Sequence, residues 1–139
     1  MKLDTQELPH IIVSACLEVH KEVGPHLMRE AYLDCVAHEL SMRELVFVRD
    51  VPVSINYKNR KVPSAFRIDF IVEGLIAVDV QTYPERDAAT QKRHKDRVGA
   101  LLRLSGYEIG LLINFHAVHL RNGLKRLIVS NDAPSVHYR

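Results

Sequence analysis

Asp69, Asp79 and Gln81 are the residues of this chain whose types and spacing could do chemistry. Both acids lie inside apolar runs, Phe66–Val72 and Leu75–Val80, joined by Glu73-Gly74. A carboxylate in an apolar setting needs a counter-charge or a metal ion, because an unpaired buried charge is costly. Two acids, one spacer and an amide form an arrangement suited to phosphodiester hydrolysis. The acids would hold an ion of the magnesium class, Mg2+ or Mn2+, and Gln81 would orient the attacking water. A structural ion pair is the other reading of the same acids.

A hairpin must position them. Ile68, Phe70 and Val72 alternate with Arg67, Asp69 and Ile71, as in a strand, and Leu75–Val80 has the composition of a strand covered on both faces. Glu73-Gly74 supplies the turn. Asp79 and Gln81 therefore share one face, and Asp69 lies across from them on the partner strand. Upstream, Ile12, Ala15, Cys16, Val19 and Val23 mark one face of a helix over Leu8–Val23 that stops at Gly24-Pro25. A second helix is expected over Leu27–Arg43, with Leu27, Ala31, Cys35, Val36 and Leu40 as its apolar set. Strands Val46–Tyr57, Val62–Val72 and Leu75–Thr82 then make an antiparallel meander, followed by a helix over Pro84–Leu104 and strands Tyr107–Phe115 and Leu124–Val129. This order predicts a mixed α/β (α+β) fold with one domain over residues 1–130 and a loose tail over 131–139.

The chain has 139 residues, 47% of them hydrophobic and 26% charged, which suits one domain with a single core. It has no apolar run near the roughly 20 residues that a membrane helix needs, and Met1–Glu7 lacks the layout of a secretion signal. A cytoplasmic address is the default expectation. Cys16 and Cys35 form no disulfide framework. With His20 and His38 at i+4 and i+3 they could supply four zinc ligands, but both lie on apolar helix faces where a small core residue suffices, so no zinc site is expected. His116 and His119 read as loop residues, and Tyr32 and Tyr83 as packing residues with a wet hydroxyl. Met1–Thr82 carries 9 Lys and Arg against 12 Asp and Glu, whereas Tyr83–Arg139 carries 10 against 5. Nucleic acid is a permitted partner on that balance, although the excess falls short of a dedicated binder.

Four stretches carry a family resemblance: Ile12–Gly24, Arg67–Val72, Leu104–Phe115 and Asn122–Val129. They closely resemble the small bacterial GxxExxY proteins over about Ile11 to Val129, with the Gly110–Phe115 strand as the most distinctive piece. The resemblance implies a PD-(D/E)XK nuclease-like core of helices, a three-strand antiparallel meander, a helix and further strands. It transfers a fold better than a function.

Position by position, the resemblance implies that Asp69 is the first strand acid and that Asp79 and Gln81 stand where relatives have Glu and Lys. His26, Arg29 and Tyr32 fall on the naming motif, so Arg29 replaces its glutamate and only the tyrosine is kept. Arg97 and Leu101 replace a helix glutamine and tyrosine, while Glu18 and His20 on the first helix match. Asp for Glu withdraws the charge by about 1 Å. Gln for Lys removes a cation that would stabilise charge developing on a phosphate. Arg86, Thr90, Arg93 and Arg97 share one helix face by spacing, as a solvated face, as phosphate grips or as partners for the acids.

Two functions follow. In the first, a divalent-metal nuclease, Asp69, Asp79 and the Val80 carbonyl hold the ion, Gln81 positions water, and His20 or Glu18 assists. In the second, the site is silent without a metal or cofactor, Arg29 and Arg97 neutralise the acids, and the fold serves as a binding or assembly module. The coincidence of changes at Arg29, Asp79, Gln81 and Arg97 favours the second. Its partner would be another protein or a second copy, for which the apolar strand Val46–Ile55 offers an edge.

Overall fold

The computed structural model describes residues 4–84 and 87–129, together with the backbone of 136–138. Helices α1 (Leu8–Val23), α2 (Arg29–Met42) and α3 (Ala88–Ser105) flank a six-stranded sheet. The strands β1 (Phe47–Tyr57), β2 (Arg60–Val72), β3 (Ile76–Gln81), β4 (Ile109–Asn114), β5 (Leu124–Val129) and β6 (Val136–Tyr138) lie in chain order across it. Each neighbouring pair is antiparallel except β3 and β4, which run parallel because α3 crosses over between them. Among the described residues, no helix is long and apolar enough to cross a membrane.

The two tight turns of the meander have the same backbone chemistry. Lys58-Asn59 and Glu73-Gly74 both take positive φ angles at their two central positions, the twist that suits a two-residue hairpin. Glu73 is tied down further, since its carboxylate accepts the Val46 N–H at 2.6 Å and its own N–H donates to the Val46 carbonyl at 2.7 Å.

The sheet separates two cores. On one face α1 and α2 cover Phe70, Val78, Val80, Leu111 and Ile113, and on the other α3 covers Ile71, Ala77, Leu112 and Leu127. Each large side chain fully buried here contributes about 1.5–3 kcal/mol. Helix α3 sits so close to β4 that a Cβ on Gly110 would lie 2.9 Å from a Leu102 methyl carbon. Along β2 the alternation slips at Asp69: Ile68 packs with Ile71 on the α3 side, and Phe70 and Val72 pack on the other. Opposite this point on β1, Asp50 adopts a left-handed conformation with φ of 54°, and Pro52 follows two residues later.

Several element boundaries differ from the sequence reading. Helix α2 starts at Arg29, because Met28 is extended at its N-cap and the Leu27 N–H is held by the Tyr32 hydroxyl at 3.2 Å. Leu27 is accordingly 37% exposed instead of buried. Helix α3 starts at Ala88, because the Asp87 carboxylate caps it by accepting the Thr90 N–H at 2.7 Å. That bond holds the Asp87 carboxyl below the usual carboxylate range. Within the segment read as a loose tail, Val136–Tyr138 pairs with β5 as β6.

Tyr32, the retained tyrosine, is fully buried and stacks on Phe115 with centroids 4.4 Å apart. Its hydroxyl donates to the Gly24 carbonyl and accepts from the Leu27 N–H, closing the α1–α2 connection. Tyr32→Phe keeps the stack but strands both backbone groups, and urea unfolding is expected to show a loss of about 1–3 kcal/mol with an unchanged slope.

Candidate functional site

The site lies where the β2–β3 ladder ends. Regular pairing runs from Val72↔Ile76 to Phe70↔Val78, and beyond it side chains take over the backbone bonds. The Val80 N–H donates to Asp69 Oδ2 at 2.7 Å, and the Val80 carbonyl accepts from Arg29 Nε at 2.9 Å. The same guanidinium donates through Nη2 to Asp69 Oδ1. Arg29 thus spans Asp69 and the Val80 carbonyl from the first turn of α2.

Asp79 is answered from the other side of the sheet. Its Oδ1 accepts from Arg97 Nη1 and Nη2 of α3 at 3.1 and 3.2 Å, and its Oδ2 accepts from Gln81 Nε2 at 2.8 Å. The Asp79 side chain is only 5% exposed, whereas Arg97 keeps 39% of its surface in solvent. Burial pushes the Asp79 carboxyl above its ordinary range; Arg97 and Gln81 oppose the shift without cancelling it, and the nearby Asp69 charge adds to it.

Around the Arg29 side the polar network continues into solvent. Arg67 forks onto both carboxylate oxygens of Asp50 at 2.6 and 2.9 Å and holds that acid below its usual range. Arg49 bonds Asp34 at 3.1 Å while lying over the Phe70 ring. A cavity of about 280 Å³ opens between these groups and Asp69.

The structure does not bring every predicted residue to this place. Among the described residues neither Glu18 nor His20 bonds to the acids. Glu18 lines a groove between α1 and α2, and His20 donates from Nε2 to the Ala117 carbonyl at 2.8 Å beyond the end of β4. Arg93 is exposed one turn before Arg97, with its charge felt at Asp87 and His94. Arg86 lies outside the described residues, so the expected four-residue face is seen only over Thr90, Arg93 and Arg97. Cys16, His20, Cys35 and His38 do not gather: no cluster of three metal-ligating side chains occurs among the described residues. The Cys16 thiol is fully buried, and burial pushes it up to about 12.

Two supporting residues were not foreseen. Asn114 is fully buried, and its amide accepts the Tyr83 N–H at 3.1 Å and donates to the Tyr83 carbonyl at 2.9 Å, fixing the chain just after Gln81. A lone amide in the apolar run Ile109–Phe115 was its signal. His94 stacks on Tyr83 with centroids 3.6 Å apart. Its pKa is lowered by burial and then by the Arg97 charge.

A family model of the PD-(D/E)XK nuclease superfamily matches residues 6–127. The chain belongs to that superfamily. No match is found among curated proteins or among solved structures. The helices, the antiparallel meander, the α3 crossover and the parallel β4 are consistent with a PD-(D/E)XK nuclease-like fold.

A PD-(D/E)XK nuclease implies a divalent cation, and the donor atoms can be checked against one. Such an ion takes about six oxygen ligands with free lone pairs directed at it. Here Asp69 Oδ1 and Oδ2, Asp79 Oδ1 and Oδ2 and the Val80 carbonyl each already accept from a guanidinium, an amide or a backbone N–H. Several of these oxygens keep a second lone pair, but the guanidiniums of Arg29 and Arg97 stand at the cationic position, so a divalent ion fits only where they are displaced.

Removing one partner exposes the balance. Arg97→Met is expected to cost about 2 kcal/mol, less than the ~3–5 kcal/mol of a fully buried pair because Arg97 is partly in solvent. Asp79→Asn removes the charge and the need for it. Because the Asp79 pKa is raised on folding, the native state binds its proton more tightly than the unfolded chain does. The stability of the wild type relative to Asp79→Asn is therefore greatest below about pH 4. It declines as pH rises through the raised value and then levels off, as urea unfolding across a pH series will show.

Proposed function

We propose that this chain is a GxxExxY-type, catalytically silent member of the PD-(D/E)XK superfamily that works in the cytoplasm as a protein-binding or assembly module. The observation that carries this reading is the Arg29 guanidinium, bonded at once to Asp69 and to the Val80 carbonyl. Those are two of the three groups that would otherwise receive a metal ion. Arginine keeps its charge at any physiological pH, so deprotonation offers no way to vacate the position. Arg97 does the same for Asp79, and the two acids and two arginines balance locally.

The other substitutions act in the same direction. Gln81 spends its amide N–H on Asp79, and among the described residues no lysine pairs with the acids to stabilise a developing phosphate charge. The retained polar groups hold the β2–β3 junction and the α1–α2 connection together, which is what a scaffold needs.

The experiment is calorimetry with Mg2+ and Mn2+ beside a cleavage assay on supercoiled plasmid and single-stranded DNA. The wild type is expected to give no binding heat and no cleavage. The quadruple variant Arg29→Glu, Asp79→Glu, Gln81→Lys, Arg97→Gln is expected to gain Mn2+ binding that Asp69→Ala abolishes. Mn2+ binding and DNA cleavage by the wild type, both lost in Asp69→Ala, would overturn the reading in favour of a metal-dependent nuclease.

A further inference from the structure

The outer surface of the helical layer carries a second, unrelated feature. Between α1 and α2 runs a groove of about 330 Å³ whose floor is made by Val19, Val23 and Cys35. Its rim is acidic on both sides, with Glu18 and Glu22 from α1 and Asp34 and Glu39 from α2. Asp34 and Glu39 are paired with Arg49 and Arg43, but Glu18 and Glu22 have no ion-pair partner among the described residues. The apolar surface does not end at the groove. Val23 is 39% exposed at the end of α1, and Leu27 and Met28 are exposed in the connection that follows.

We infer that this groove docks a partner segment that presents an apolar stripe flanked by lysines or arginines, an amphipathic basic helix. The apolar floor accepts the stripe, and the unpaired carboxylates of Glu18 and Glu22 along the α1 side receive its cations. Charge complementarity sets the sign: in a chain with a formal net charge of +2, this groove carries two acids unpaired among the described residues, Glu18 and Glu22, and its lining includes His38 but neither lysine nor arginine. The groove is also held ready. Tyr32 pins Gly24 and Leu27, which fixes the connection where the exposed apolar residues emerge, and preorganisation lowers the cost of binding. This inference rests on the binding-module reading and gives its partner a chemistry.

Cys35 makes the test local. It lies half-buried in the floor, whereas the Cys16 thiol is buried and its pKa is pushed up to about 12, so alkylation reports on Cys35. The probe is a labelled helical peptide of leucines and lysines at amphipathic spacing, with the corresponding leucine–glutamate peptide as control, followed by fluorescence anisotropy and by iodoacetamide labelling. The lysine peptide is expected to bind at least tenfold more tightly than the glutamate peptide and to slow Cys35 labelling. The double variant Glu18→Lys, Glu22→Lys is expected to reverse that preference with an unchanged unfolding midpoint. Absence of binding, or binding that leaves Cys35 labelling unchanged, overturns the inference. Protection of Cys35 on raising the protein concentration alone also overturns it, because it assigns the groove to a second copy. None of these results bears on metal binding, so failure here leaves the silent-site reading to its own calorimetric test.

Discussion

A carboxylate withdrawn from water must be given a counter-charge, and two of them at the end of one strand pair set the terms for this molecule. Asp69 and Asp79 sit where the β2–β3 ladder stops, and each receives an arginine from a different helix. The pairing therefore does mechanical duty. It anchors the first turn of α2 to one side of the sheet and the middle of α3 to the other, at the point where β2 and β3 part. Val80 illustrates the economy, since both its N–H and its C=O are satisfied by side chains that also satisfy each other.

On the silent-site proposal, the same constraint explains how the superfamily site would lose its ion without losing its shape. In an active relative a dication would neutralise the acids; here two fixed monocations do so, and the local charge is unchanged. What differs is the capacity to exchange ligands. Metal-bound water can be replaced and activated, whereas a guanidinium offers only N–H donors and no proton that it readily gives up.

Much of this was readable from residue types. The hairpin, its Glu73-Gly74 turn and the shared face of Asp79 and Gln81 follow from a period of two, whereas the placing of Arg29 and Arg97 beside the acids came from the family resemblance. Where the reading missed, a local interaction had competed with periodicity. Leu27 fits the helical apolar pattern, but the Tyr32 hydroxyl holds its N–H outside the helix. Asp87 is a better cap than Pro84, and the Asp-Ala-Ala-Thr run was its signal. Glu18 and His20 share α1 with the core residues, yet helical rotation turns them to other surfaces, and position along a helix alone does not show which neighbour waits there.

One feature of β1 bears on the company this protein can keep. Among the described residues its outer side has no strand neighbour, and Val46 and Val48 are 71% and 59% exposed beside it. Such an edge ordinarily invites another chain to extend the sheet. Asp50, with its left-handed backbone, breaks the straight row of donors and acceptors, and Pro52 withdraws one donor more. The register with β2 also shifts between Val53 and Ile55, so no long regular run remains along this edge. The edge therefore offers an incoming strand only short stretches of regular pairing, which disfavours open-ended extension of the sheet.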